Sequence, residues 1–314
     1  MVSASSAAFG LVLFVLVSTA SARRLDVNLQ SAGNFAVLTK TGVSTVPSSE
    51  ITGNVGVWPI TYAAMTGFSV SLPITDALTS TQVKEGSLYG AGMPGKTESV
   101  LAKAISDMET AYTDAASRSP ADFVNHESGR LGGKTLAPGL YKFTTAVGFD
   151  DDCTLMGSAT DTWIFQIAEG MSINSDKKII LAGGALAKNV VWAVKGVSSF
   201  GARSHFEGIV LGATSATFVT DSSITGRVLV QTAVTLQKTT VTEPTSADEP
   251  VSVTETVSGA TETISGATEP NSATGPISAE ASAEVSAGVP IAEVPAVDAA
   301  AEVPRRAGSR RHGL

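Results

Sequence analysis

The chain has 314 residues, a single cysteine, Cys153, and a formal net charge of −8. One cysteine excludes an internal disulfide, so stability has to come from packing and backbone hydrogen bonds. The acidity is local: residues 243–314 hold eleven acids and four arginines, whereas residues 23–242 hold eighteen acids against seventeen bases, which leaves no basic stripe for a nucleic acid.

In chain order, residues 9–17 form an apolar run followed by Ala20-Ser21-Ala22. The run is too short to span a bilayer and the small-x-small triplet is a cleavage pattern, so residues 1–22 read as a secretory signal peptide and the protein is expected to be extracellular. The pattern departs from the usual one in having its basic pair, Arg23-Arg24, after the cut. No other stretch reaches the roughly 18 uninterrupted apolar residues of a membrane span.

Residues 23–242 read as one domain, rich in Gly, Thr, Ser, Val and Ile, with short alternating runs broken by Gly, Asn or Asp, a β pattern. Residues 97–118 are the exception. They lack Pro and Gly and place Leu101, Ala104, Ile105, Met108, Ala111, Tyr112 and Ala115 on one helical face, with Thr97 as N-cap and Glu98 in the first turn. An amphipathic helix of this kind needs an apolar surface to lie against.

From Ala137 the chain repeats in units of three short strands with a period of about 18 to 27 residues, a solenoid period. One series reads Trp163-Ile164-Phe165-Gln166-Ile167, Val190-Val191-Trp192-Ala193-Val194, Gly208-Ile209-Val210-Leu211 and Arg227-Val228-Leu229-Val230-Gln231. A second ends in glycine, at Gly157, Gly183, Gly208 and Gly226; Cys153 lies at its start beside Leu155 and reads as a small buried residue. A third aligns on Phe149, Ile173, Phe200, Phe218 and Leu236. Because side chains alternate along a strand, this alignment sends Ala146 and Gly148, Gly170 and Ser172, Val197 and Ser199, Ser215 and Thr217, and Ala233 and Thr235 outward. All are small and uncharged, where exposed strands usually carry Lys, Glu or Arg; Glu169, at the margin, is the exception. The series predicts a flat grid of methyls and hydroxyls. Ser69 and Ser71 offer themselves as an N-terminal extension of it, without a register to place them.

Other groups point away from catalysis. Asp150-Asp151-Asp152 reads as a solvated turn, since it matches no calcium-loop spacing and lacks a substrate groove. His126, His205 and His312 have no second His or Cys at metal-ligand spacing, and His205 reads as structural. No nucleophile–base pair is evident, and neither metal nor cofactor is expected. From Glu243 onward there is no Phe, Tyr or Trp, and near-repeats such as Thr256-Val257-Ser258-Gly259-Ala260-Thr261 dominate, so 243–314 reads as a disordered, Ser/Thr/Ala/Glu/Pro-rich tail.

Several segments together resemble a known family. Leu29-Gln30-Ser31-Ala32-Gly33-Asn34-Phe35-Ala36-Val37-Leu38, Ile51-Thr52-Gly53-Asn54-Val55-Gly56, Leu136-Ala137-Pro138-Gly139-Leu140-Tyr141, Asp161-Thr162-Trp163-Ile164-Phe165-Gln166-Ile167 and Ser204-His205-Phe206-Glu207-Gly208 are similar to the DUF3494 family of microbial ice-binding proteins, in order along the chain. The resemblance implies a discontinuous right-handed β-solenoid of triangular cross-section with one long α-helix alongside. It also implies adsorption to an ice crystal surface, without catalysis or cofactor; the protein is expected to be a monomer. A family pattern of Thr-Ala/Gly-x-Thr type matches Thr232-Ala233-Val234-Thr235 and Thr214-Ser215-Ala216-Thr217 well and Thr145-Ala146-Val147-Gly148 in part. It therefore adds Thr145, Thr214 and Thr232 to the candidate ice contacts. A cell-surface adhesin or polysaccharide-binding solenoid is the competing reading, with Trp58 and Tyr62 as candidate aromatic contacts.

Overall fold

Short runs of alternating Val, Ile, Thr and Ser bounded by Gly or Asp become strands because the pleat suits branched side chains on both faces. In a computed structural model, described here over residues 26–46, 48–71, 77–93 and 97–244, successive runs occupy three sides of a coil. Each turn of the chain returns to pair in parallel with the turn before, which makes the fold a mainly β solenoid. The expected signal segment 1–22 and the tail from residue 245 onward lie outside the described residues.

The helix-side sheet fixes the order of the coils. It runs Phe123–Val124, Gly139–Phe143, Trp163–Ile167, Val190–Val194, His205–Gly212, Ser223–Val230, Val37–Thr39, Val55–Thr61 and Leu88–Ala91. Space and sequence therefore disagree at one place. The chain lays down its N-terminal coils, crosses back along the helix Thr97–Ser117, and winds from Phe123 until Ser223–Val230 closes against Val37–Thr39. At 1.5 Å per residue the 21-residue helix covers about 31 Å, enough to pass roughly six strand spacings.

Both surfaces of this sheet are apolar, which is why Trp163–Ile167 and Val190–Val194 are buried at every position. The inner side stacks aromatics in register: Phe123, Tyr141, Phe165 and Trp192 follow one another with centroid spacings of 4.3, 4.9 and 3.9 Å. The outer side offers Leu140, Ile164, Val191, Ile209, Leu211 and Leu229 to the helix, which buries Leu101, Ala104, Ile105, Met108, Ala111 and Ala115 there. The expected helical face is thus the buried one, with Tyr112 half-buried at its edge.

The third side is built from Thr135–Leu136, Cys153–Met156, Ile179–Ala182, the first halves of His205–Gly212 and Ser223–Val230, then Thr240–Thr242, Glu50–Thr52 and Val83–Lys84. The two eight-residue strands cross from this side to the helix side at adjacent glycines, and a Cβ on Gly226 would lie 1.7 Å from the Gly208 carbonyl oxygen. Register departs from the sequence alignment once. Lys178, not Ile180, stands opposite His205, a shift of two residues that leaves every side chain on its expected face. Cys153 is buried, and burial pushes its thiol up to about 12, an inert packing residue.

Candidate binding face

The third strand series forms a sheet of its own. Its order, among the described residues, is Val147–Phe149, Met171–Ile173, Ser198–Phe200, Ala216–Phe218, Ala233–Leu236, Gly42–Thr45 and Met65–Thr66. The register is the one expected: Phe149, Ile173, Phe200, Phe218 and Leu236 stand side by side and are buried, as are Val147, Met171, Ser198, Ala216 and Val234 two positions earlier. Phe200 and Phe218 stack at 4.0 Å beneath the sheet, holding its strands level.

Between those inward columns lies one outward row: Gly148, Ser172, Ser199, Thr217 and Thr235, continued by Ser44 and Thr66. From Ser172 to Thr66 every member of the row carries a hydroxyl, and none is charged. A parallel row carries small residues, with methyls at Ala146, Val197 and Ala233. Ladder bonds from Val147 N–H to Gly170 O, Met171 N–H to Val197 O and Ser198 N–H to Ser215 O, each 3.0 Å, carry the register back through Ala146, Gly170, Val197 and Ser215, and Gly42 pairs with Ala233. Val197 presents its methyls to solvent at 46% exposure. Gly42 has φ +147° and a Cβ there would approach Ala64 O to 2.8 Å, so this row has an enforced gap at Gly42.

The remaining candidates sit at the corner where the sheet begins. Thr145 is exposed and Thr232 half-buried, its N–H donating to Thr214 O at 3.3 Å. Thr214, in the bend before Ala216–Phe218, differs from both: its Oγ1 is buried without a hydrogen-bond partner. The N-terminal extension also differs. Ser71 pairs with Thr79 in a short antiparallel ribbon, Val70–Ser71 against Thr79–Ser80, and Ser69 lies in no strand. Ser44 and Thr66 take the place expected for them. The signal was the match of Gly42-Val43-Ser44-Thr45 to Ala233-Val234-Thr235-Leu236, hidden because these segments are remote in sequence.

Charge is kept to the margins. Glu169 folds back at the edge, where its Oε2 accepts the Ala146 N–H at 3.1 Å. At the opposite corner successive coils turn through left-handed residues, Asp176, Arg203, Asp221 and Lys238, and join in ion pairs: Asp151 with Lys177 at 3.0 Å, Asp176 with Arg203 at 2.6 Å, Asp221 with Lys238 at 2.9 Å. Asp152 accepts the Lys178 N–H at 2.8 Å, so two members of the acidic triplet serve coil-to-coil turns. These contacts hold the Asp151 and Asp176 carboxyls below the usual carboxylate range, the hydrogen bonds from Lys177 and Arg203 being the largest causes.

The third side is different in kind. His205, Glu207, Glu50 and Lys84 stand among its threonines. It also holds a contact that sequence reasoning missed: Ser223 Oγ lies 2.8 Å from His205 Nδ1, and Glu207 Oε1 lies 2.7 Å from His205 Nε2. The spacing is that of a nucleophile, base and orienter, but the adjoining N–H groups of Ser223 and Thr240 are spent on Ser204 O and Ser222 O at 2.8 and 3.1 Å. Neither is left to stabilise an oxyanion, and the trio works as a polar ladder between coils.

A model of the ice-binding-like family matches residues 37–242. The chain is 48% identical over 206 residues to ice-binding protein K1-A of Typhula ishikariensis, covering 65% of this chain and 84% of that one. It belongs to the ice-binding-like family. To the family's ice-binding protein from Flavobacterium frigoris (strain PS1) it is 47% identical over 227 residues, 71% of this chain and 79% of that one. The solved structure of an ice-binding protein from an Arctic yeast superposes with a TM-score of 0.69 at 43% identity, covering 71% of this chain and 96% of the other. The family match spans the coils that supply the outward row, from Ser44 to Thr235.

Proposed function

We propose that this protein is a secreted, monomeric ice-binding protein that adsorbs to ice through the row Gly148, Ser172, Ser199, Thr217, Thr235, Ser44 and Thr66 and the row of small residues beside it, giving thermal hysteresis and inhibiting recrystallisation. The observation that carries this reading is the uncharged hydroxyl row running unbroken across the join between the last and first coils. Adjacent strands set a repeat of about 4.8 Å along the row, and alternate residues set about 6.7 Å across it. Water above such a surface is confined by methyls and tied by hydroxyls, so an ordered layer merges with a crystal lattice of comparable repeat. Each contact is weak. Many act together on a pre-ordered scaffold, and little entropy is lost on docking. Adsorbed molecules force the ice front to grow as curved surface between them, which lowers the local freezing point. No bond is made or broken, and the named contacts require neither cofactor nor metal.

Thr217→Tyr and Thr235→Tyr each raise a ring from the middle of the plane. Both are expected to remove most of the thermal hysteresis while leaving the circular-dichroism melt within a few degrees, since the change is on the surface. Hysteresis equal to that of the parent would place the ice contact elsewhere. A polysaccharide platform is less well supported: Trp163 and Trp192 are fully buried, and Trp58 packs against the helix-side cluster.

A further inference from the structure

The solenoid is closed by non-covalent contacts where its last coil meets its first, and the outward row crosses that seam. We propose that Arg227, clasped by Glu243, is a positioning residue for ice binding, holding the N-terminal coils in the register that lets Ser44 and Thr66 continue the row. The inference rests on the proposed role of that face.

The seam ladders are short. Val37–Thr39 meets Val228, Leu229 and Val230; Glu50–Thr52 meets Thr240–Thr242; and Gly42–Thr45 meets Ala233–Leu236. A slip of one residue at the seam would turn Ser44 inward and the buried Val43 outward, so the row continues across it only in this one register. Arg227 stands at the crossing, next to Val228, whose N–H donates to Ala36 O at 2.8 Å. Its guanidinium donates to Phe35 O at 3.2 Å, on the N-terminal segment, and pairs with the Glu243 carboxylate, one residue past the last strand. Three segments remote in sequence are thus tied by one side chain.

The site is built for this contact. Among the ion pairs of the described residues, Arg227 has the least exposed basic side chain, at 15%. Burial pulls its guanidinium down to about 10, so the buried cation depends on its partner. Gly53 (φ +112°) leaves the seat for that partner: a Cβ there would lie 2.6 Å from Glu243 Oε2 and 3.0 Å from Ala36 Cβ. The Glu243 N–H donates to Thr52 O at 3.3 Å, and Asn54 Nδ2 to Asn34 O at 2.8 Å, closing the same crevice from its other wall.

The test is a double-mutant cycle on the full chain, read as thermal hysteresis at equal folded concentration, with the melt followed in parallel. Arg227→Ala is expected to lower hysteresis about twofold while the protein stays folded near 0 °C, because part of the row is misaligned rather than lost. Ser44→Tyr should lower hysteresis in the parent but add little to Arg227→Ala, whereas Thr217→Tyr should remain damaging on either background. Should Arg227→Ala fail to fold, Glu243→Gln serves in its place, with faster amide exchange at Thr41 and Val46 as a second expected result. Unchanged hysteresis in the clasp variant, or simple addition of its effect to that of Ser44→Tyr, would overturn the positioning role. If Thr217→Tyr itself had no effect, the face reading beneath it would fail instead.

Discussion

Ser198 and Ser199 are neighbours in one strand and meet opposite fates. Ser199 is exposed in the outward row, whereas Ser198 points into the core between Met171 and Ala216, 1% exposed, with its Oγ lacking a hydrogen-bond partner. An orphaned buried hydroxyl carries its desolvation cost without compensation. Ser198→Ala should therefore stabilise the fold by about 1 kcal/mol, measured by denaturant unfolding, and leave thermal hysteresis unaltered. A destabilised variant would mean that the hydroxyl has a partner after all. At this scale the alternation of small polar and large apolar residues told inside from outside along the strands. Thr214, a candidate from the family pattern and not from the alternation, has its Oγ1 buried at the corner.

The helix shows what periodicity conveys and what it omits. Its buried stripe follows from the spacing of Leu101, Ala104, Ile105, Met108, Ala111 and Ala115, yet Asp107 is buried too. Asp107 accepts the Ser31 N–H at 3.0 Å, the Ser31 hydroxyl, and Lys103 Nζ at 2.7 Å, pinning the N-terminal turn Gln30–Asn34 to the helix. Ser31 is 76 residues away, so no local pattern announces the contact. Burial alone would raise the Asp107 carboxyl, but the hydrogen bonds from Lys103 and Ser31 outweigh it and the net direction is below the ordinary 3.8. A carboxyl lowered in the folded state adds stability above its unfolded value, and that stability is lost as pH falls through the folded value. The melting temperature should thus be level above about pH 5 and drop below about pH 4, with a smaller drop in Asp107→Asn, which starts about 1–2 kcal/mol less stable. Equal acid sensitivity in parent and variant would assign the drop to other carboxyls. Asp151 and Asp176 are lowered as well, but both are exposed and contribute little. The other end of the helix is held from the sheet, where Gln166 Nε2 donates to Ala115 O and Arg118 O at 2.8 and 2.9 Å.

Seen whole, the first coils are an extension of the last, and all three sides of the coil pass through the seam. Repeat proteins with only neighbour contacts can unfold piecewise. Here the helix lies over strands from both parts, Leu38 on one side of the seam and Leu229 on the other sharing its cluster. Unfolding should be one cooperative transition: tryptophan emission, which combines Trp58 in the N-terminal coils with Trp163 and Trp192 in the others, should coincide with far-ultraviolet circular dichroism. Two separated midpoints would show that the parts melt independently.

The amino-acid sequence alone determined which residues alternate, where the helix lies, and that the third strand series carries small uncharged groups outward, because these depend on periods of two and 3.6 residues within short windows. The identity of the series in register was legible too, since each coil repeats the spacing from small residue to large. Only the tertiary structure decided that Gly42–Thr45 follows Ala233–Leu236, that Ser44 and Thr66 rather than Ser69 and Ser71 extend the row, and that Arg227 meets Phe35 and Glu243. Those contacts arise from the helix returning the chain to the far end of the stack, a long-range closure that no local spacing encodes.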